Sequence, residues 1–237
     1  MAGLLYTGHQ IARIEGFQLF GELIQRGPDT RRAVALTFDD GPTRHTQTLL
    51  DALAAEDAKA TFFLIGRDIE RNPEQARAIA EAGHEIGNHS WNHRRLVYKA
   101  PWTIRRQIER TDAAIRDLGY DGPIAFRPPH GNKLIALPWV LSRMDRPNVM
   151  WSMDPDSVLG HTAPPEDMVR YITDTAQPGD IILLHGMYSG NASLRAALPD
   201  ILRGLKAKGF ALVTLDDLLR QEATLSTSPE TRYAGAI

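Results

Sequence analysis

Val34-Ala35-Leu36-Thr37-Phe38-Asp39-Asp40-Gly41-Pro42 is the stretch that decides the fold. An apolar, β-favouring run breaks on two carboxylates and a Gly-Pro turn. A short run of that kind is a strand buried on both faces, as in a parallel sheet. The same alternation repeats along the chain. Leu49, Leu50 and Leu53 sit at helical spacing behind Thr46, which can cap them. Ala60 to Ile65 is the next strand, Pro73 opens a helix that Gly83 ends, and Glu85-Ile86-Gly87 is a short strand running into His89. Pro101 starts a helix to Leu118, and Ile124 to Phe126 leads into Arg127-Pro128-Pro129. Leu134 to Met144 and Pro164 to Ala176 read as helices, with another over 194–208 that Pro199 starts or interrupts. Asn148 to Met153, Ile181 to Leu184 and Ala211 to Leu215 read as strands. Seven strands alternating with helices predict an α/β fold with parallel strands, a barrel rather than an open sheet.

The chain has 237 residues, 43 % apolar and 24 % charged, which suits one large domain with a real core. That domain is expected over 33–221. Residues 1–32 precede it. There Phe17, Leu19, Phe20, Leu23 and Ile24 fit either an amphipathic helix on the barrel bottom or the remnant beyond a removed membrane anchor. From 222 to 237 the text is polar and patternless, a loose tail. Lys and Arg total 27 against 29 Asp and Glu, so the net charge of −2 offers no overall grip on nucleic acid or anionic lipid. There is no cysteine, which excludes disulfides, thiolate metal sites and a Cys nucleophile. No apolar run is long enough to span a bilayer, and the start MAGLLYTGHQ is not a signal peptide. The expected location is cytoplasmic if the chain is complete, and cell envelope or secreted if a signal or anchor was trimmed.

Chemistry-bearing residues gather at strand ends. Asp39 and Asp40 close the first strand, and His89 and His93 follow the third. Arg127 closes the fourth, Asp154 and Asp156 the fifth, His185 the sixth. In parallel α/β barrels the active site is built at that end. Asp39-Asp40 reads either as a solvated turn or as two carboxylates dividing labour, one on a cation and one taking a proton. His89 and His93, at i and i+4, lie on one face of a helical turn, so both imidazoles can reach one metal ion; with a carboxylate they form a hydrolytic zinc set. His185 at a buried strand's mouth is a candidate general acid, and Arg127 can pair with a carboxylate and fix it. His84 and Glu85 read as structural, and His9, His45 and His161 as solvent-facing. Trp102 and Trp139 read as core and Trp151 as buried, while Trp91, between the two histidines, can line a groove.

Five motifs in order carry a resemblance: Thr37-Phe38-Asp39-Asp40-Gly41-Pro42; His89-Ser90-x-x-His93; Arg127-Pro128-Pro129-x-Gly131; Trp151 with Asp154 and Asp156; and Leu183-Leu184-His185. Together they resemble the polysaccharide deacetylases, the NodB-homology group or carbohydrate esterase family 4, from Val34 to Leu219. The resemblance implies a distorted (β/α)7 barrel and a metal-dependent amidase, and the chain is expected to be a monomer. The implied substrate is a chitin-like or peptidoglycan-like glycan bearing N-acetylglucosamine. It implies Asp40, His89 and His93 as ligands of Zn²⁺, with Co²⁺ or Ni²⁺ as other candidates. It implies Asp39 as general base held by Arg127, and His185 as general acid supported by Asp156 or Asp154. The backbone N–H of His130 would meet the oxyanion, and Leu183 would line the acetyl pocket. Base and acid would come from distant strands. O-acetyl ester cleavage on a xylan-like glycan, deformylation of a lipid-linked sugar and a non-catalytic metal-bound glycan-binding module are the alternatives. His130 stands where the family has an aromatic such as Tyr, Ser157 where a Trp follows the second Asp, and Gly186 where an acid often follows the last His.

Overall fold

The computed structural model describes residues 18–225. At its centre is β2 (Ala33–Asp39), every residue of it buried. It pairs in parallel with β3 (Thr61–Leu64), β6 (Ile181–Leu184) and the short β7 (Ala211–Val213). β3 pairs in turn with β4 (Glu85–Asn88), so the ladder runs β4-β3-β2-β6. β5 (Asn148–Val149) pairs with β1 (Leu23–Ile24). The gap between β4 and β6 is spanned by isolated parallel bridges, Asn88 to Phe126, Phe126 to Asn148 and Met153 to Ile182, not by a continuous ladder. That is a parallel α/β single domain whose barrel is distorted on one side.

Helices cover the outside. They are α1 (Thr46–Ala55), α2 (Gly66–Arg71), α3 (Pro73–Glu81), α4 (Pro101–Arg116), α5 (Ala136–Arg143), α6 (Pro155–Leu159), α7 (Pro165–Thr175), α8 (Ala192–Ala207) and α9 (Leu215–Leu225). The pleat of β2 sorts its side chains into two layers. Val34, Leu36 and Phe38 join Leu49, Leu53, Ile79 and Ile201 under the helices. Ala33 and Ala35 face inward with Phe63, Val149 and Ile181. Thr37 and Asp39 continue that inward row, so the interior is apolar below and polar at the mouth.

Several expected elements differ. Leu23 and Ile24 are strand, not helix, because their backbone pairs with Asn148 and Val149; Phe17 and His9 lie outside the described residues. α9 runs past Gln221 to Leu225, and the expected tail over 226–237 lies outside the described residues. Pro199 sits inside α8 without ending it. The flanking Ala197, Leu198, Ile201 and Leu202 are buried, and their packing outweighs the lost hydrogen bond. Ile124–Phe126 is reduced to bridges at Phe126, because Pro128 and Pro129 bring no N–H to extend a ladder. Thr46 is the first helical residue, behind His45, and its hydroxyl accepts from the N–H of Thr43. No helix of the described residues is long and apolar enough to cross a membrane.

Candidate active site and metal centre

The register Phe38↔Phe62 and Phe38↔Leu184 sets Asp39 beside β3 and one step from His185. Asp39 and His185 are thus distant in sequence but stand on adjacent strands. Asp39 is buried, and Arg127 Nη1 donates to its Oδ1 at 2.7 Å and to Thr37 Oγ1 at 2.8 Å. Arg127 Nη2 donates to the Met150 carbonyl at 2.9 Å. The guanidinium is fully buried, 4.1 Å above the Phe63 ring. Burial works to raise the Asp39 pKa, but Arg127, His89 and His185 outweigh it and hold the carboxyl below its usual range.

Asp40 does not continue the strand. Its φ of 62° turns the backbone, and its side chain leaves the inward row to meet two imidazoles. His93 Nε2 lies 3.2 Å and His89 Nε2 3.9 Å from Asp40 Oδ1. Residues 89–93 form no helical turn. Ser90 and His93 have φ of 66° and 56°, fixed by Asn88 Oδ1 accepting from the Ser90 N–H and Ser90 Oγ from the His93 N–H. The rings converge all the same, with centroids 4.9 Å apart.

One ligand atom each from Asp40, His89 and His93 falls within 4.8 Å of the others. The donor chemistry fits a divalent cation. His89 Nδ1 lies 2.8 Å from the Arg127 carbonyl, which can only accept, so the proton is on Nδ1 and the Nε2 lone pair faces Asp40. Asp40 Oδ1 is buried without a hydrogen-bond donor. Burial pushes His89 down, and burial and His130 push His93 down to about 4, so both are neutral as ligands must be. Burial also raises Asp40, the sign of a carboxylate short of positive partners.

His185 Nδ1 donates to Asp156 Oδ2 at 2.9 Å. Burial works to lower the His185 pKa, but this bond and the charges of Asp39, Asp40 and Asp156 raise it to about 9. Asn191 Nδ2 also reaches Asp156 Oδ2, at 3.2 Å. Asp154 is turned elsewhere. It caps α6, accepting from Ser157 N at 3.1 Å and from the Ser157 hydroxyl. Of the two aspartates, then, Asp156 touches His185.

A cavity of about 420 Å3 collects Asp39, Asp40, His89, His93, His130, Leu183 and His185. His130 has a φ of 60° and its ring lies 4.6 Å from that of His93. The readings of all four tryptophans are corrected. Trp91 does not line the cavity; its ring lies beside Gly66, with Arg110 stacked 3.5 Å away. Trp151 lines the cavity instead of being fully buried. Trp102 and Trp139 are exposed, not core. His161 is the residue that sequence reasoning missed. It is solvent-facing as expected, yet its Nδ1 lies 3.2 Å from Asp156 Oδ2 and it lines the cavity. Gly160, with φ of 83°, folds the chain back after α6 to place it, and a glycine just beyond the second aspartate was the available signal.

The fold and this cavity define a class: a parallel α/β barrel hydrolase with a His-His-carboxylate centre at its strand ends. Residues 26–147 match the polysaccharide deacetylase family. A peptidoglycan-N-acetylglucosamine deacetylase of Bacillus cereus is 34 % identical over 81 % of this chain and 91 % of its own. Peptidoglycan-N-acetylglucosamine deacetylase PgdA of Listeria monocytogenes is 33 % identical over 80 % of this chain, which spans 39 % of that longer protein. The crystal structure of the Bc1960 peptidoglycan N-acetylglucosamine deacetylase, in complex with a naphthalenyl N-oxidanyl-benzamide, superposes with a TM-score of 0.78. It is 32 % identical, covering 84 % of this chain and 92 % of that one. The chain belongs to the polysaccharide deacetylase family.

Proposed function

We propose that the chain hydrolyses the N-acetyl group of N-acetylglucosamine units in a peptidoglycan-like or chitin-like glycan, with Asp40, His89 and His93 holding a zinc ion. The observation that carries this is the pairing within one cavity of a carboxylate kept ionised (Asp39 on Arg127) and an imidazole kept protonated (His185 on Asp156). Binding alone needs neither. The named activity of the relatives supports the choice of substrate.

The difficulty in amide hydrolysis is a poor electrophile and a poor leaving group. A divalent cation supplies Lewis acidity, polarising a carbonyl and easing the ionisation of water. Asp39, held below its usual pKa by Arg127, accepts the proton of the attacking water. His185 enters protonated, with Nδ1 committed to Asp156, and delivers its Nε2 proton to the departing nitrogen. The N–H of His130, on a loop fixed by Pro128 and Pro129, is the oxyanion donor; one such donor is worth about 3 kcal/mol in the barrier. Leu183 and Trp151 give the acetyl methyl an apolar wall.

Acetate release from N-acetylglucosamine oligomers, peptidoglycan and acetylated xylan tests this reading. Wild type is expected to act on the first two, and Asp39→Asn and His185→Ala to lose about a hundredfold or more. Undiminished release by either variant contradicts its role; release from xylan alone contradicts the substrate.

A further inference from the structure

A second concavity, sharing no lining residue with the active-site cavity, has a different character. It is a groove of about 400 Å3 with almost wholly apolar walls, between the loop that follows His93 and the start of α5. Phe20, Leu96, Tyr98, Ile135 and Trp139 line it. Most large apolar side chains exposed among the described residues gather here: Phe20, Tyr98, Ile135 and Trp139 in the groove, Leu19 and Trp102 next to lining residues. Trp102 is 76 % exposed. A patch this concentrated on a domain surface marks an interaction site.

Its charge is equally uneven. Between Glu85 and Glu109 there is no Asp or Glu, whereas Arg94, Arg95, Lys99, Arg105 and Arg106 all lie there and are exposed. Arg105 and Arg106 sit three and four residues beyond Trp102 on α4, on the same stretch of helix surface. Glu109 is paired with Arg105 at 3.2 Å, and Glu22, two residues from Phe20, is the carboxylate on the other side of the groove's lining sequence. The net charge of −2 conceals this local excess of cations.

We propose that this face docks on an anionic lipid surface, with Tyr98, Trp102 and Trp139 at the headgroup level and the arginines and Lys99 on lipid phosphates. Three features select that occupant. Trp and Tyr are the residues that settle at membrane–water interfaces, one end apolar and one polar. The groove walls offer almost no hydrogen-bonding groups, which a sugar chain would need. The cations beside it match anionic headgroups. Leu96 to Tyr98 lie on the segment that also carries His93, so docking here anchors the chain next to one of the candidate metal ligands. Attachment through one such face is reversible.

Sedimentation of the 237-residue chain with phosphatidylcholine vesicles, with and without phosphatidylglycerol, tests the proposal. Expected is binding that needs the anionic lipid, weakens in high salt, and falls about tenfold or more in Trp102→Ser/Trp139→Ser and in Lys99→Glu/Arg106→Glu. Both variants should melt as wild type does and release acetate from a soluble N-acetylglucosamine oligomer at the wild-type rate. Failure to bind either vesicle, as when residues 1–17 or a partner protein covers the groove, overturns the proposal. So does binding that folded variants retain. Vesicle binding is read without turnover, so this result stands apart from the catalytic reading.

Discussion

His185 ionises at about 9 in place of the usual 6.5, because Asp156, Asp39 and Asp40 outweigh its burial. A raised value in the folded state means that the stabilisation is complete below 6.5 and is lost as pH rises through about 9. The proposed acid function follows the same proton, which predicts an alkaline limb of acetate release at or below about 9. A cation held by Asp40, His89 and His93 would offset part of the carboxylate field and place the limb between 6.5 and about 9. Asp156→Asn removes the charge and leaves only a neutral acceptor for the Nδ1–H, and is predicted to move the limb toward 6.5. Asp154→Asn, which touches only the α6 cap, should leave it in place. A pH–rate profile in which Asp156→Asn keeps the wild-type limb contradicts the pairing. Asp39, Asp40, His89, His93, Arg127 and His185 were legible because strand ends can be read from apolar runs. The choice between Asp154 and Asp156 was not, since it depends on which of them α6 uses as its cap. Nor was the exchange of Trp91 for Trp151 in the cavity lining, since Ser90 and His93 leave the helical path that the reading of 89–93 assumed.

At the scale of the element, β2, β3 and β6 were readable because they are continuous apolar runs buried on both faces. The 124–126 segment is reduced to bridges at Phe126, and 148–153 to the two-residue β5 plus a bridge at Met153. α2 and α6 escaped notice because helices of five or six residues carry no full apolar period. The contact between β3 and β4 also supports the site. A Cβ on Gly87 would stand 2.5 Å from the Phe63 ring, and that ring lies under Arg127. Gly87→Ala is therefore predicted to push Phe63 into the guanidinium, costing about 1–3 kcal/mol of stability and lowering kcat more than it raises KM. Chemical denaturation and steady-state kinetics check this. A variant as stable and as fast as wild type would mean that Arg127 is not held through Phe63.

The molecule as a whole divides into an apolar lower barrel that provides stability and a polar mouth that holds unlike charges together. Asp40 Oδ1 without a donor, two neutral imidazoles facing it and a buried Arg–Asp pair beside them make an unfavourable arrangement by themselves. A cation bound there would resolve it, and on the proposed function would tie stability and activity to one event. The direct test is acetate release from N-acetylglucosamine oligomers by chelator-stripped protein titrated with Zn²⁺. The prediction is no release from the stripped protein and recovery that saturates at one equivalent of metal. Full release from metal-free protein, or none at any zinc concentration, would contradict it.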